Sequence, residues 1–343
     1  MTTTRFVGLI RQMSDAELDV VGVGNAIVDV VVRTSDEFLM RHGLTKGAMR
    51  LIDEDQASTL YTAMAPAMET SGGSAANTMA GLASLGGKPA YIGRVRQDQL
   101  GEIFCHDLRA IGVHFAVPPA TDGPSTARCL ILVTPDAQRT MNTYLGACVN
   151  LCPEDLDEAL LRRGKILYLE GYLWDRPQAK LAFLHAARVA AAAGRQVALS
   201  LSDSFCVDRH RESFLELVRD HVDILFANES EIMSLYRSNS FEDAASQARA
   251  QTRLAALTRG AKGSVLLSAH EEVEIAAEPV ARVVDTTGAG DLYAAGVLFG
   301  MTRGHSLREA GKRGAIAAAE VISHFGARPE TRLSELTHRA AMG

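Results

Sequence analysis

The chain has 343 residues, of which 47% are hydrophobic and 22% charged, close to the average for globular domains, which excludes a disordered chain. Lys and Arg number 35 against 41 Asp and Glu, and this net charge of −6, with only 6% aromatic residues, argues against a nucleic-acid-binding protein. No stretch approaches the roughly 18 apolar residues of a membrane span, and the N-terminus lacks the apolar core of a signal peptide. We therefore expect a cytoplasmic protein that binds neither nucleic acid nor membrane.

The five cysteines, at positions 105, 129, 148, 152 and 206, have no paired spacing, which predicts free thiols in a reducing compartment. Cys148 and Cys152 have no histidine cluster nearby, so we expect no zinc site.

Short apolar segments alternate with Ala-rich helical segments along most of the chain. The apolar segments predict strands at 20–23, 27–32, 90–92, 166–169, 197–201, 224–226, 264–267 and 280–284. The predicted helices cover 75–85, 100–110, 180–193, 212–220, 244–256, 292–301 and 307–324. Apolar strands separated by helices of this length indicate βαβ units, and therefore an α/β fold around a buried, mainly parallel sheet.

Two more polar stretches, 33–55 and 118–145, lack long helices and interrupt this alternation. Within the second, 126–133 and 139–145 predict paired strands joined across a Pro135-Asp136 turn. We expect the two stretches to form a small β-sheet lid over a site on the main sheet, inserted in a single domain that spans 1–343.

The motif DTTGAGD, residues 285–291, follows the predicted strand at 280–284 and opens a helix. The small residues Gly288, Ala289 and Gly290 let backbone N–H groups approach a ligand, and a helix N-terminus adds unpaired donors, which together predict an anion hole. Asp291 would repel an anion unless it faces a hydroxyl that loses its proton while attacking phosphorus, and the helix end should keep this carboxylate ionised. The alternative is a plain Asp N-cap after a Gly-rich turn.

A second Gly-rich segment, SGGSAAN at 71–77, also precedes a helix. Gly72 and Gly73 permit close approach of the backbone to a polar ligand, and Asn77 can donate to and accept from hydroxyls. The alternative is a tight strand-to-helix turn. There is no P-loop, because 81–89 has the wrong spacing, and no dinucleotide fingerprint, which disfavours a Walker-type kinase and a Rossmann dehydrogenase.

Asn228 and Glu231 follow the strand predicted at 224–226 and would share a face at the start of a helix. Oxygen ligands at the carboxyl end of a parallel strand suit hydrated Mg²⁺. The alternative is a helix cap, since N-x-x-E resembles a capping box.

The loop LTRGAKG, residues 257–263, lies between the helix predicted at 244–256 and the strand predicted at 264–267. Thr258, Gly260 and Gly263 could line nucleotide phosphates in this loop. The alternative is an ordinary connection with turn glycines.

These four motifs, in this order, resemble the ribokinase-like (PfkB) family of sugar and nucleoside kinases over about residues 20–335. DTTGAGDLYAAG fits the C-terminal signature of the family, and GGSAANT fits its N-terminal signature more loosely because Met79 stands where many members have a small residue. The resemblance implies a doubly wound α/β domain with a small β-sheet lid, and binding beyond the carboxyl ends of the strands.

The resemblance also implies roles in phosphoryl transfer. Asp291 would be the base, and the amides of Gly288, Ala289 and Gly290 would form the anion hole. ATP would be the co-substrate, and its binding residues would be Asn228, Thr258, Gly260 and Gly263.

Two ions are implied as well. Asn228 and Glu231 would organise Mg²⁺ through water, and Asp285, Thr287 and Gly326 resemble the monovalent-cation site of many members, which points to K⁺.

The segment GVGNAIVD, residues 22–29, looks like the G-x-G-N-x-x-x-D opening of adenosine kinases. By this resemblance, Asp29, Gly73 and Asn77 would hold the ribose hydroxyls, since a carboxylate can accept two charge-assisted hydrogen bonds from a diol. Asn25, Gly72 and Arg139 complete the predicted substrate-binding set. The base pocket would have as its walls Met141, Leu145, Tyr172 and Phe205, although each of them also suits plain core.

The leading hypothesis is therefore an ATP-dependent kinase, a monomer or homodimer, that phosphorylates the 5′-hydroxyl of a nucleoside, adenosine first. A kinase for a sugar or sugar acid, of the fructose or 2-keto-3-deoxygluconate type, is the second hypothesis. The third is a non-catalytic nucleotide- or sugar-binding protein on the same fold, which retention of Asp291 argues against.

Overall fold

A computed structural model describes residues 16–136 and 138–342 of the chain. The expected lack of a signal peptide concerns residues that lie almost entirely outside this range.

Thirteen strands are present in the described part of the chain. They are β1 (Leu18–Val23), β2 (Ile27–Arg33), β3 (Met49–Leu51), β4 (Met68–Gly72), β5 (Pro89–Ile92), β6 (Ala127–Val133), β7 (Arg139–Tyr144), β8 (Gly164–Glu170), β9 (Gln196–Ser200), β10 (Ile224–Asn228), β11 (Leu254–Thr258), β12 (Ser264–Ser268) and β13 (Glu272–Ile275).

The α-helices of the described residues connect and cover these strands. They are α1 (Asp36–Arg41), α2 (Glu54–Ala63), α3 (Ser74–Ser84), α4 (Gln99–Ala110), α5 (Glu158–Arg163), α6 (Pro177–Ala192), α7 (Ser204–His221), α8 (Glu229–Tyr236), α9 (Phe241–Gln251), α10 (Ala289–Thr302), α11 (Leu307–Val321) and α12 (Leu333–Met342). None of the described helices is both long enough and apolar enough to cross a membrane.

The main sheet has eight strands in the order β13-β12-β11-β10-β9-β8-β1-β5. The strands from β11 to β5 are parallel, and β12 and β13 add an antiparallel edge. The parallel strands are buried on both faces, as their continuous apolar sequences predict. This sheet, with helices packed against it, confirms the predicted α/β fold.

Helices α3 and α10 lie against each other beside this sheet. They approach so closely at Gly81 that a Cβ atom there would lie 2.6 Å from Leu292 Cδ1 and 2.7 Å from the Cβ of Ala295. The backbone of α3 therefore packs against side chains of α10, and Gly81 sets the spacing between the C-terminal half of α3 and the first two turns of α10.

The second sheet has five strands in the order β3-β7-β6-β2-β4. Strands β6 and β7 pair antiparallel on either side of Pro135 and Asp136, as the sequence predicts. Strands β3, β6 and β7 come from the two stretches assigned to a lid, whereas β2 and β4 lie outside them. In this second sheet Asp29, Cys129 and Thr143 are neighbours in register on three adjacent strands.

Two predicted elements were wrong. Residues 280–284 form no strand, because the segment has no strand neighbour: Val283 is 53% exposed, and the N–H of Val284 donates to the carbonyl of Ile322 just beyond α11. The helix predicted at 244–256 ends at Gln251, and β11 begins at Leu254, since burial between β10 and β12 outweighs the helical propensity of Leu and Ala.

Candidate active site

A cavity of about 550 Å³ lies where the carboxyl ends of the main-sheet strands face the second sheet. Most of the residues predicted for the site line it. They are Asp29, Gly73, Asn77, Asn228, Glu231, Thr258, Gly260, Thr287, Gly288, Ala289, Gly290 and Asp291. Six others do not line it and lie beside or behind it, and these are Asn25, Gly72, Arg139, Gly263, Asp285 and Gly326.

Asp291 lies in the first turn of α10, whose N-cap is Gly288. Gly288 has a φ of +79°, and a Cβ there would lie 2.8 Å from the Cβ of Ala327, so the turn requires glycine. Ser74 Oγ donates to Asp291 Oδ1 at 2.6 Å, and Asn77 Nδ2 donates to Oδ2 at 3.1 Å. Burial raises the pKa of Asp291 despite these hydrogen bonds, which is opposite in direction to the shift expected from the helix end alone.

Sequence reasoning missed Ser74. It stands three residues before Asn77, on the same face of α3, and this spacing was the signal that it would point at the same group.

Arg328 was also missed, although it follows Gly326 by only two residues. Its guanidinium donates to the carbonyl and hydroxyl of Ser71, and its charge opposes the upward shift of the pKa of both Asp29 and Asp291. Only its position in the folded C-terminal segment shows that it faces these carboxylates.

Asp29 of β2 lines the cavity from the second sheet and accepts no hydrogen bond from any described residue. Burial raises its pKa to about 6, against the opposing charges of Arg328 and Arg139. Gly72 packs against the back of this carboxylate, and a Cβ there would collide with Oδ2. Gly72 therefore supports Asp29, whose two carboxylate oxygens have no hydrogen-bond partner among the described residues.

Asn25 is buried and faces inward. Its Nδ2 donates to Glu170 Oε1 at 2.7 Å, and Glu170 Oε2 accepts from the backbone N–H of Ala75 at 2.8 Å. Burial raises the pKa of Glu170 to about 7. Asn25 thus ties the β1–β2 connection to the start of α3, the helix that carries Ser74 and Asn77.

Asn228 and Glu231 form a capping box at the start of α8. Asn228 Oδ1 accepts from the N–H of Glu231 at 2.9 Å, and Glu231 Oε2 accepts from the N–H of Asn228 at 2.9 Å. The helix cap that the sequence offered as the alternative to a Mg²⁺ site is therefore present in the structure.

A role in Mg²⁺ binding is compatible with this cap. Burial, with the nearby charges of Asp203 and Asp291, raises the pKa of Glu231 to about 7. None of these three carboxylates forms an ion pair within residues 16–136 and 138–342, and no described cluster of acidic, Cys or His side chains is tight enough to hold a metal directly. Such a set of repelling acids fits a hydrated divalent cation that is bound through water.

Thr258 and Gly260 belong to a hairpin between β11 and β12, not to a connection that follows a helix. With Asn228 they line both the main cavity and an adjoining one of about 570 Å³. Gly263 instead closes the hairpin, where its carbonyl accepts from the N–H of Arg259 at 2.8 Å, and it packs against the carbonyl of Ile275. The two cavities form one elongated cleft along the strand ends.

Asp285 precedes the glycine turn and has donors on both oxygens. Oδ1 accepts from the backbone N–H of Thr287 at 3.0 Å and from its hydroxyl at 2.7 Å, and Oδ2 accepts from the N–H of Gly326 at 3.0 Å. Arg139 Nη1 forms an ion pair with Oδ2 and donates to Thr287 Oγ1 at 3.2 Å. Asp285 and Thr287, which were predicted for a cation site, thus contact Arg139, which was predicted to bind the substrate. Because the guanidinium already supplies the positive charge, this arrangement does not fit an added K⁺ ion.

The predicted base pocket is only partly assembled. Tyr172 lines the cavity, together with Ile27, Cys129 and Thr143, which the sequence did not single out. Phe205 does not line it and is 73% exposed. Met141 and Leu145 are also absent from the lining.

Residues 51–332 match the family described as pfkB family carbohydrate kinase. The structure of an adenosine kinase from Sinorhizobium meliloti is 53% identical in sequence, with a TM-score of 0.87 over 95% of this chain and 100% of that one. A probable sugar kinase from Rhizobium etli CFN 42 is 51% identical, with a TM-score of 0.88 over 96% of this chain and 100% of that one.

More distant relatives include the 5-dehydro-2-deoxygluconokinase of Shouchella clausii, which is 26% identical over 95% of this chain and 97% of its own length. Relatives of both sugar-kinase and adenosine-kinase description thus match nearly the whole chain. Because the family match covers most of the sequence and the described fold agrees with it, this chain belongs to the pfkB family of carbohydrate kinases and is a phosphotransferase that acts on a nucleoside or a sugar.

Proposed function

We propose that the protein transfers the γ-phosphoryl group of ATP to the 5′-hydroxyl of adenosine. The observation that carries this proposal is Asp29, a carboxylate that lines the cavity and accepts no hydrogen bond from the described chain. A vicinal diol supplies the two donors that such a carboxylate lacks. Asn77 Oδ1 is likewise buried without a partner among the described residues, so a further substrate hydroxyl that donates to it would satisfy this acceptor as well.

The charge of the cavity favours a neutral substrate. Among the described residues that line it there is no Lys, Arg or His, whereas Asp29, Glu231 and Asp291 all face it. The carboxylate of a sugar acid would meet these three carboxylates with no cation among the lining residues, so like-charge repulsion and desolvation would both oppose its binding. This argues against the sugar-acid branch of the second hypothesis.

The wall beside Asp29 favours a substrate with a flat apolar part. Ile27, Cys129 and Thr143 line the cavity from the second sheet, and Tyr172 lines it from the main domain. Aliphatic and aromatic surfaces of this kind suit the two faces of a purine ring, while the sugar lies on the polar groups.

The reaction follows from the position of Asp291. The substrate 5′-oxygen forms a bond to the γ-phosphorus as the bond to the β–γ bridging oxygen breaks, and the 5′-hydroxyl proton passes to Asp291. Ser74 and Asn77 hold this carboxylate in place until the hydroxyl arrives. The backbone amides of Gly288, Ala289 and Gly290 stabilise the charge of the transferring group.

The nucleotide would lie along the adjoining cleft, where Asn228, Thr258 and Gly260 are accessible. Asn228 and Glu231 would hold Mg²⁺ through water. When bound, this ion neutralises phosphate charge.

A neutral sugar such as fructose is the second candidate. The observation that favours it is the relative from Rhizobium etli, which is described as a probable sugar kinase and is 51% identical. A hexose also carries vicinal hydroxyls for Asp29, but it has no flat group for Ile27 and Tyr172.

The test is a coupled ADP-release assay with adenosine, inosine and cytidine against fructose and 2-keto-3-deoxygluconate. We expect adenosine to have the highest kcat/KM and the sugar acid to be inert, with Asp291→Asn as the control for a contaminating kinase. The adenosine proposal fails if no nucleoside releases ADP while a sugar does.

A further inference from the structure

Arg139 is placed by the second sheet but contacts the catalytic loop of the main domain. It is the first residue of β7, next to Val133 of β6 across the hairpin, and its guanidinium reaches Asp285 and Thr287. Only 12% of its side chain and 6% of that of Asp285 are exposed. The two charges therefore form a buried ion pair between the second sheet and the segment that leads into the glycine turn of α10.

This pair leaves Asp285 no role as the ligand of a free cation. Thr287 and Gly326 donate three hydrogen bonds to its oxygens, and the guanidinium supplies the positive charge. Hydrogen bonds and the Arg139 charge lower the pKa of Asp285 in spite of its burial, so the group is a carboxylate. Its charge and its lone pairs are both matched by protein groups.

The same contacts shape the glycine turn. Thr287, which receives a hydrogen bond from Arg139 and makes two to Asp285, directly precedes Gly288, the N-cap of α10. An unmatched charge on Asp285 would disturb the residue from which the amides of 288–290 are positioned.

We propose that the guanidinium of Arg139 is a built-in replacement for the monovalent cation at Asp285, so that the second sheet supplies the positive charge that orders the glycine turn. The inference rests on the proposed anion-hole role of that turn. Arg139 is then a positioning residue for phosphate binding, not a substrate contact, and the enzyme needs no K⁺.

The test is calorimetric titration of MgATP into the protein, in tetramethylammonium chloride and in KCl at equal ionic strength. We expect the wild type to have the same affinity in both salts. Arg139→Gln should bind MgATP more weakly in tetramethylammonium. K⁺ should increase the MgATP affinity of this variant by about 5- to 150-fold, the usual range of coupling between two ligands. Arg139→Lys, which keeps a cation, should show no response to K⁺.

Arg94→Gln is the matched control, because Arg94 forms a comparably enclosed pair with Asp155, with side chains 23% and 17% exposed, and neither residue lines the cavity. It should show no response to K⁺. If the wild type binds MgATP more tightly in K⁺, the inference is overturned. This comparison of the wild type in the two salts tests the inference even if Arg139→Gln does not fold. A folded Arg139→Gln that ignores K⁺ overturns it equally. Since ATP binding needs no acceptor, failure of the adenosine proposal leaves this test intact.

Discussion

The two walls of the cavity each present a buried carboxylate, but the two carboxylates differ in their hydrogen bonds to the protein. On the main-sheet side, both oxygens of Asp291 accept hydrogen bonds from Ser74 and Asn77 of α3. On the side of the second sheet, Asp29 accepts none from the described chain, although burial raises the pKa of both groups. The first carboxylate is held in place by the protein itself, whereas the second depends on a ligand for its partners.

This difference separates chemistry from recognition. A change at Asp291 should alter the rate of the chemical step with little effect on binding, and a change at Asp29 should alter which substrate is accepted.

The largest effect is expected from Asp291→Asn. The amide keeps the shape of the side chain but cannot accept the hydroxyl proton, so kcat should fall by about 10²–10⁴, the usual contribution of a general base. Steady-state kinetics with adenosine measures kcat, and calorimetry should show MgATP binding close to that of the wild type. Near-normal turnover would remove Asp291 from the chemistry.

The next effect concerns Asp29 and the ribose diol. A buried charged group left without one hydrogen bond costs about 1.5–3 kcal/mol, so adenosine should exceed 2′-deoxyadenosine by roughly 10- to 150-fold in kcat/KM. Asp29→Ala should lower activity and reduce that ratio towards one. If the variant keeps the wild-type ratio, Asp29 does not bind the diol, even though adenosine remains the substrate.

Glu231 distinguishes a helix cap from a metal-organising residue. Glu231→Gln keeps the capping box, since Gln is accepted at this position, but removes the charge. The Mg²⁺ concentration for half-maximal activity should rise by about 10- to 100-fold, the usual range for groups that orient metal-bound ligands, while the melting temperature stays near that of the wild type. An unchanged Mg²⁺ requirement would leave Glu231 with the capping role alone.

The smallest effect is expected from pH. The pKa of Asp29 is raised to about 6, so the carboxylate is ionised above that pH and becomes protonated as the pH falls through it. The ratio of kcat/KM for adenosine over 2′-deoxyadenosine should therefore decline below about pH 6. Protonation of Asp291 affects both substrates and cancels in the ratio. A ratio that is flat from pH 5 to 8 would contradict this assignment.

The local motifs could be predicted from the sequence because each of them consists of consecutive residues. The glycine turn before Asp291 was predicted from its run of small residues, and the hairpin of β6 and β7 was predicted from the Pro135-Asp136 turn between them. The segment 280–284 shows the limit, since β-branched residues form a strand only where a neighbouring strand is available.

Contacts between distant parts of the chain could not be predicted in the same way. Ser74 and Asp291 are 217 residues apart in sequence, and Arg139 and Asp285 are 146 apart. No periodicity connects such pairs, because they exist only after the two sheets have packed. The sequence therefore predicted Asp285, Thr287 and Gly326 as one group and assigned Arg139 to the substrate, but it did not predict the contact of Arg139 with Asp285 and Thr287.

The close contact at Gly81 has a consequence for how this protein can diverge. Asn77 and Gly81 are four residues apart on one face of α3, and Gly81 packs on Leu292 and Ala295, which follow Asp291 in α10. Any side chain at position 81 would push the two helices apart and displace Asn77 from the base. Changes in substrate range are therefore expected at cavity-lining residues of the second sheet such as Cys129 and Thr143, while the helix pair that holds the base stays fixed.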